Sequence, residues 1–137
     1  MEKVGECLFC KIVAGEVPCY KIYEDEKFLA FLDVLPLTTG HTLVIPKDHF
    51  RWVWDVKPAG EYFEVIVKVA NHFRAVLGEE LLISITYGEG VPHAHYHLLP
   101  QSESMNNWFD KYEELKSKEL IGTNEGERIV EKLGMGV

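Results

Sequence analysis

Three histidines occupy alternate positions in one short run, Val91-Pro92-His93-Ala94-His95-Tyr96-His97-Leu98-Leu99-Pro100. The chain of 137 residues holds six histidines, so half of them fall within five positions. Successive side chains of an extended strand point to opposite faces, which predicts that the three imidazoles share one face. Imidazole accepts protons, attacks phosphorus and binds metal ions near neutral pH. The row therefore predicts that these imidazoles line a functional site.

The spacing of the row limits what a metal ion could do there. Alternate residues of a strand lie ~6.8 Å apart, so His93 and His97 are expected ~13 Å apart. Zinc binds imidazole nitrogen at about 2 Å, and one ion cannot hold the whole row. At least one of the three histidines must therefore have a different role.

The pair Cys7-x-x-Cys10 allows three interpretations. It could be two buried thiols on a short helix, a redox pair, or half of a zinc site. The strand-to-helix pattern of thioredoxin-like proteins is missing around it, which disfavours the redox interpretation. A zinc site needs two more ligands, for which His49 and one histidine of the row are the candidates. Cys19 is interpreted as a core or strand residue.

Two further polar residues flank the predicted strands. Asp33 ends an apolar run and either caps a turn or accepts hydrogen bonds from the vicinal hydroxyls of a sugar. His41 follows Thr39-Gly40, where a backbone amide and an imidazole could both reach a phosphate.

The elements that would position these residues follow from hydrophobic periodicity and from turn residues. Apolar residues at spacings of three and four predict one long helix over Pro58–Leu77, which Gly78 ends. The fold class is α+β, with an antiparallel sheet of about five strands and the long helix packed on it. The remaining predicted elements are a short helix (Cys7–Ala14) and strands at Lys21–Glu24, Lys27–Asp33, His41–Pro46, Leu81–Tyr87 and His93–Leu99.

Composition excludes several classes of function. A hydrophobic content of 47% and a charged content of 26% are typical of one globular domain. The net charge of −8 argues against a nucleic-acid polymer as partner, although a small nucleotide remains compatible with it. No apolar run is long enough to span a membrane and the first residues are polar, so a cytoplasmic protein is expected. Three cysteines, an odd number, disfavour a disulfide scaffold.

The residues together resemble the histidine triad (HIT) superfamily. The run from His93 to Leu99 matches its pattern of three histidines alternating with apolar residues and followed by two apolar residues. The resemblance extends over roughly residues 6–100, and the tail 101–137, which is charged and helix-prone, adds nothing to it. It implies a single HIT domain over 1–137. The other segments that resemble bacterial members are Cys7–Pro18, Tyr23–Asp25, Ala30–Asp33 and Gly40–His49.

The resemblance implies a nucleotidyl hydrolase or transferase that acts on the α-phosphorus of AMP or GMP derivatives. These include nucleoside 5′-phosphoramidates and dinucleoside polyphosphates. It makes His95 the nucleophile, which would form a nucleotidyl-histidine, and it places His97 and His41 on the phosphate oxygens. It assigns Asp33 to the ribose hydroxyls. The apolar residues that it places around the base are Phe9, Ile12, Phe31 and Val34.

The resemblance is to the zinc-containing branch of the superfamily and implies a structural zinc ion. The matching ligands are Cys7, Cys10, His49 and His93. It also implies a homodimer with the long helix and the adjacent strand near the two-fold axis, and Trp108 of the tail is a candidate to reach the partner.

Two positions beside the row bear on the leaving group. Many relatives carry glutamine just before the histidine segment, followed by a hydroxyl residue or glycine, and this chain has Glu89 and Gly90 at these positions. A carboxylate there would repel phosphates, and glycine offers no hydroxyl to a leaving group. Both positions are expected to contact the nucleotide. The residue types found there support an alternative hypothesis, a catalytically weak nucleotide-binding or scaffolding module. A metal hydrolase that uses the histidine row as ligands is a third hypothesis.

Overall fold

The computed structural model describes residues 6–78, 82–100 and 120–136, so the prediction for Trp108 lies outside the described residues. A 3-10 turn at Val53–Asp55 precedes the long helix. Within the described ranges the elements, in chain order, are α1 (Leu8–Val13), β1 (Lys21–Glu24), β2 (Phe28–Leu32), β3 (Thr42–Pro46), α2 (Ala59–Leu77), β4 (Leu82–Ile85), β5 (Tyr96–Pro100) and α3 (Thr123–Leu133).

The five strands form one sheet in the order β1-β2-β3-β5-β4, with every neighbouring pair antiparallel. The predicted fold class is confirmed. Both β2 and β3 are buried along their whole length, because each has one face against α2 and the other against the N-terminal segment. On β2, Phe28, Ala30 and Leu32 face the α2 side, whereas Leu29 and Phe31 face the opposite side. This sheet core supports the residues at its strand ends.

Helix α2 lies within the predicted bounds, beginning after Pro58 and ending at Gly78, which adopts a left-handed conformation (φ 67°). Left-handed glycine at a helix end leaves the last carbonyls able to accept hydrogen bonds from the turning chain. The hydroxyl of Tyr62 donates to the carbonyl of Val44 at 2.8 Å and ties the helix to the central strand β3.

The opposite face of the sheet is covered by α1. The ring of Phe9 packs edge-on against that of Phe31, with centroids 5.5 Å apart. Cys7 caps the helix, since its Sγ accepts a hydrogen bond from the backbone N–H of Cys10. This short helix therefore carries both thiols against the sheet.

The C-terminal helix α3 completes the α2 side of the core, beyond the residues 6–100 over which the family resemblance extends. Leu133 is 3% exposed and belongs to the same apolar cluster as α2. The N–H of Met135 donates to the carbonyl of Ile22 at 2.8 Å, and the N–H of Ile121 donates to the carbonyl of Val34 at 3.0 Å. The tail thus contacts both strand β1 and the loop after β2.

The histidine row lies only partly on a strand, which differs from the prediction. Strand β5 begins at Tyr96, so His93 and His95 precede it. Their backbone groups bond elsewhere: the N–H of His93 donates to the carbonyl of Val91, and that of Ala94 donates to the carbonyl of Phe50. A bend therefore replaces the first half of the predicted strand and turns His93 away from the other two imidazoles.

In the part of the chain that the structure describes, no helix combines the length and apolar character needed to cross a lipid bilayer.

Candidate active site and metal-ligating cluster

One cavity of about 530 Å³ opens beside the ends of β2, β3 and β5, and it contains the predicted nucleotide site. Its volume falls within the range of small-molecule sites. Three imidazoles line it, those of His41, His95 and His97. The other predicted residues that line the same cavity are Phe9, Ile12, Phe31, Asp33, Val34, Glu89 and Gly90.

Hydrogen bonds fix which nitrogen of His41 and His97 carries the proton. The backbone N–H of Leu37 donates to Nδ1 of His41 at 3.0 Å, so a neutral His41 is protonated on Nε2. That Nε2–H donates to Nδ1 of His97 at 2.8 Å, which places the His97 proton on its own Nε2. Nε2 of His97 is buried with no hydrogen-bond partner among the described residues. The chain of bonds thus ends in an unused donor on a cavity-lining ring.

His95 has the opposite tautomer. Its Nδ1 donates to the carbonyl of His93 at 2.7 Å, which leaves the lone pair on Nε2. Burial lowers the pKa of His95, the bond to the His93 carbonyl raises it, and the positive charge of Arg51 lowers it further. A neutral ring with a free Nε2 lone pair is what a nucleophilic imidazole requires. The centroids of His95 and His97 are 5.1 Å apart.

Burial shifts the pKa of three other groups of the cavity, His41, His97 and Asp33, in the direction of their neutral forms. Burial lowers the pKa of His41 to about 4. Burial, with His41 and His95 nearby, lowers the pKa of His97 to about 3. Burial raises the pKa of Asp33, and the hydrogen bond that its Oδ1 accepts from the N–H of Leu35 lowers it.

A second cluster of polar side chains lies behind the cavity and fits a metal ion. Nδ1 of His93 lies 3.3 Å from Sγ of Cys7 and 3.4 Å from Sγ of Cys10, and Nδ1 of His49 lies 3.2 Å from Sγ of Cys10. All four atoms lie within 4.8 Å of one another. Two thiolates and two imidazoles form a common donor set for closed, four-coordinate zinc.

A backbone carbonyl orients the His93 ring for this role. Nε2 of His93 donates to the carbonyl of Pro46 at 2.8 Å, so the Nδ1 lone pair points toward the thiols. Burial lowers the pKa of His93 to about 4, which keeps that lone pair free of a proton. The four side chains predicted as zinc ligands are thus together and suitably oriented.

Asp33, His41 and His97 also bring ligand atoms within 4.8 Å of one another. Their arrangement is that of a proton-sharing chain, because the 2.8 Å separation of His41 Nε2 and His97 Nδ1 is a hydrogen bond. Oδ2 of Asp33 lies 3.6 Å from His41 Nε2, beyond an ordinary hydrogen bond. Of this cluster only His97 belongs to the histidine row, so the cluster differs from the ligand set of the metal-hydrolase hypothesis.

Sequence reasoning missed three contacts that surround His95 and His97. The ring of Tyr87 stacks on that of His97, with centroids 5.0 Å apart and planes 11° apart. The hydroxyl of Thr86 donates to the carbonyl of His95 at 3.0 Å. Nη2 of Arg51 donates to the carbonyl of Gly88 at 3.0 Å. No spacing in the sequence signals these contacts, which join separate parts of the chain.

The HIT domain family model matches residues 14–104. The protein belongs to the HIT domain family. The chain is 42% identical over 108 residues to "Protein hit" of Bacillus subtilis, covering 74% of each chain. It is 35% identical over 101 residues to adenosine 5′-monophosphoramidase hnt1 of Schizosaccharomyces pombe, covering 69% of this HIT protein and 74% of the relative.

Among solved structures, a Zn-bound histidine triad family protein from Mycobacterium smegmatis superposes on this HIT protein with a TM-score of 0.71. The two are 29% identical, and the alignment covers 93% of this chain and 92% of the other.

Proposed function

We propose that this HIT protein is a nucleotidyl hydrolase or transferase that acts on the α-phosphorus of nucleoside 5′-phosphate derivatives through His95. The observation that carries the proposal is the pairing of two opposite tautomers in one cavity. His95 offers a lone pair at Nε2, and His97 offers an N–H at Nε2. One group can attack phosphorus while the other donates to a phosphate oxygen.

The proposed reaction has two steps. Nε2 of His95 attacks the α-phosphorus, the bond from phosphorus to the leaving group breaks, and a nucleotidyl-histidine forms. Water then attacks the same phosphorus, which releases the 5′-nucleotide and returns the electron pair to Nε2. The donor on His97, held by His41, would stabilise charge on the non-bridging oxygens in both steps. An acceptor other than water would make the reaction a transfer.

The rest of the cavity fits a nucleoside. Asp33 would accept hydrogen bonds from the ribose hydroxyls. A carboxyl group has an oxygen that accepts hydrogen bonds in either protonation state. The base would lie in the apolar end of the cavity, against Phe9, Ile12, Phe31 and Val34. An adenosine or a guanosine derivative meets these requirements.

Adenosine 5′-phosphoramidate is the substrate to test first, because the Schizosaccharomyces pombe relative is a monophosphoramidase by name. The experiment compares AMP release by the wild-type protein and by His95→Ala. We expect turnover to vanish in the variant while AMP binding, measured by calorimetry, persists. Turnover that survives the substitution would refute the assignment of the nucleophile. Dinucleoside polyphosphates are the second substrate class to test.

The alternative hypothesis, a weak binding module, rests on Glu89 and Gly90, which both line the cavity. Gly90 has φ +88° and no atom within 4 Å of the place where a side chain would begin. The leaving-group side thus lacks a hydroxyl at this position. Saturable AMP binding without release from any tested leaving group would favour this alternative.

We also propose a structural zinc ion held by Cys7, Cys10, His49 and His93. The donor set described above and the zinc-bound relative support it. When bound, the ion would tie the N-terminal segment to the residues that precede β5. All four ligands come from the protein, which leaves no open position for hydrolysis.

A homodimer is the proposed assembly. Among the described strands, β4 lies at an edge of the sheet. Helix α2 exposes Phe63 (55%) and Val67 (42%) one helical turn apart. Exposed apolar side chains grouped on a helix are typical of an interface between copies. Light scattering after gel filtration would give the mass in solution, and a monomeric mass would contradict the proposal.

A further inference from the structure

The segment Thr86–Gly90 forms one side of the proposed active site. Thr86 bonds to the carbonyl of His95, and Tyr87 stacks on His97. Glu89 and Gly90 then line the cavity. The position of this segment therefore affects both imidazoles and the side of the cavity where the family resemblance places the leaving group.

Arg51 and Trp52 hold this segment at Gly88. Nη2 of Arg51 donates to the Gly88 carbonyl, and the guanidinium carbon lies 3.9 Å from the centre of the Trp52 ring. Gly88 has φ +70°, and a side chain there would overlap the indole of Trp52. The indole and the guanidinium thus fix the position of the Gly88 backbone, where only glycine fits.

Arg51 also places a positive charge at Gly88, next to the residues that line the cavity. The protein carries a net charge of −8, and burial lowers the pKa of His41 to about 4 and that of His97 to about 3. Asp33 and Glu89 add carboxyl groups to the lining. Nη1 of Arg51 is buried and has no hydrogen-bond partner within the described residues. A guanidinium with an unused donor retains capacity for one more acceptor.

We propose that Arg51 is a specificity-determining residue, which fixes the Gly88–Gly90 rim and favours substrates whose leaving group is anionic. This inference rests on the proposed function. When a phosphorus–oxygen bond to a nucleotide leaving group breaks, negative charge grows on the departing oxygen. A fixed guanidinium nearby stabilises that charge. An amine leaving group departs neutral after protonation and gains far less from the same charge.

The test compares two substrates in three variants. Steady-state kcat/KM is measured for diadenosine triphosphate and for adenosine 5′-phosphoramidate in Arg51→Gln, Arg51→Lys and the control Arg128→Gln. Arg128 is exposed on α3, so the control removes the same charge far from the contacts of Gly88. A thermal melt of each variant establishes that it is folded.

Arg51→Gln should lower kcat/KM for the triphosphate by roughly 10-fold or more, the loss expected for a charge-assisted hydrogen bond. The phosphoramidate should lose less than about threefold, within the range of a weak positional effect. Arg51→Lys should recover part of the preference because it keeps the charge. An equal loss on both substrates would mean that Arg51 only supports the fold, and no loss on either would mean that the rim is independent of it. Both results overturn the proposal.

A binding measurement separates this inference from the proposed function. Calorimetry gives Kd for AMP and for ADP, whose second phosphate occupies the leaving-group side. Arg51→Gln should weaken ADP binding relative to AMP binding by roughly 10-fold, and an unchanged ratio would contradict the inference. Absence of AMP release by the wild-type protein would instead contradict the proposed hydrolase, whatever the binding ratio.

Discussion

The imidazoles of His41 and His97 are joined by a 2.8 Å hydrogen bond, and a backbone amide outside the pair determines which ring is the donor. The backbone amide of Leu37 occupies Nδ1 of His41 and forces its proton onto Nε2. The donor that His97 presents in the cavity is therefore specified by the main chain. A buried imidazole without this connection could adopt either tautomer.

His41→Ala should lower turnover by about 100-fold, comparable to the loss of one preorganised donor to a transferring group. AMP binding should weaken much less, since Asp33 and the apolar end of the cavity remain. Nitrogen NMR of labelled histidine would report the tautomer of His97 directly. His72→Ala, on helix α2, serves as the matched control. A His97 ring that keeps its Nε2 proton in His41→Ala would contradict the relay.

Stability should fall on acidification because the buried imidazoles favour their neutral forms. The pKa of His41 is about 4 in the folded protein and about 6.5 in an unfolded chain, so the unfolded chain binds the proton first. The contribution of His41 is complete above pH ~6.5, declines below it and is lost once the pH has fallen through ~4; it amounts to about 3 kcal/mol. His97 acts in the same direction, whereas Asp33, whose pKa is raised, acts in the opposite one at lower pH.

Urea unfolding at pH 7.5 and at pH 5 measures this loss. His41→Gln should show a smaller difference between the two pH values than the wild-type protein. Equal stability of the wild-type protein at both would refute the assignment of neutral buried imidazoles.

Zinc removal should lower stability together with activity. We expect elemental analysis to find about one zinc per chain, the occupancy of one closed four-ligand site. A strong chelator should lower the melting temperature of the wild-type protein, since binding energy at such a site is folding energy. Cys10→Ser should melt lower without chelator, and Cys19→Ser, which alters the third thiol, should match the wild type. Rapid loss of activity with an unchanged melting temperature would instead indicate an ion that takes part in the reaction.

Leu133→Ala should destabilise the protein by about 2–4 kcal/mol, the usual cost of truncating a buried leucine. The side chain is 3% exposed and lies against Gly40, the residue before His41. Chemical denaturation measures the loss, and Lys132→Ala, at the exposed neighbouring position, is the control. A change below about 0.5 kcal/mol, the size of an ordinary surface substitution, would show that α3 contributes little to the core.

Sequence alone predicted the sheet, the long helix and the side chains that meet in the cavity and in the metal-ligating cluster. Hydrophobic periodicity predicted α2 correctly because the buried residues of this helix lie on one of its faces. It misplaced the start of β5, since the amide of Ala94 bonds to Phe50, 44 positions earlier, and no local pattern records that bond.

The contacts of Arg51 and Tyr87 could not be predicted from the sequence for a related reason. Arg51 meets Gly88 across 37 positions, and a lone arginine in a loop has no signature. Helix α3 was missed as part of the core because its apolar residues are few and its charged residues many. Its packing depends on Gly126, where a side chain would overlap the ring of Tyr20.

The ring of Phe9 contacts both the metal-ligating cluster and a histidine of the cavity. Phe9 packs edge-on against His93, a member of the metal-ligating cluster, and against His95, with centroids 5.9 and 5.2 Å apart. Helix α1 thus contributes one side chain to the surroundings of two histidines that come more than 80 residues later in the sequence. The cavity cannot be complete until those distant parts of the polypeptide have met. A change that loosens α1 is therefore expected to alter the surroundings of His95 without changing His95 itself.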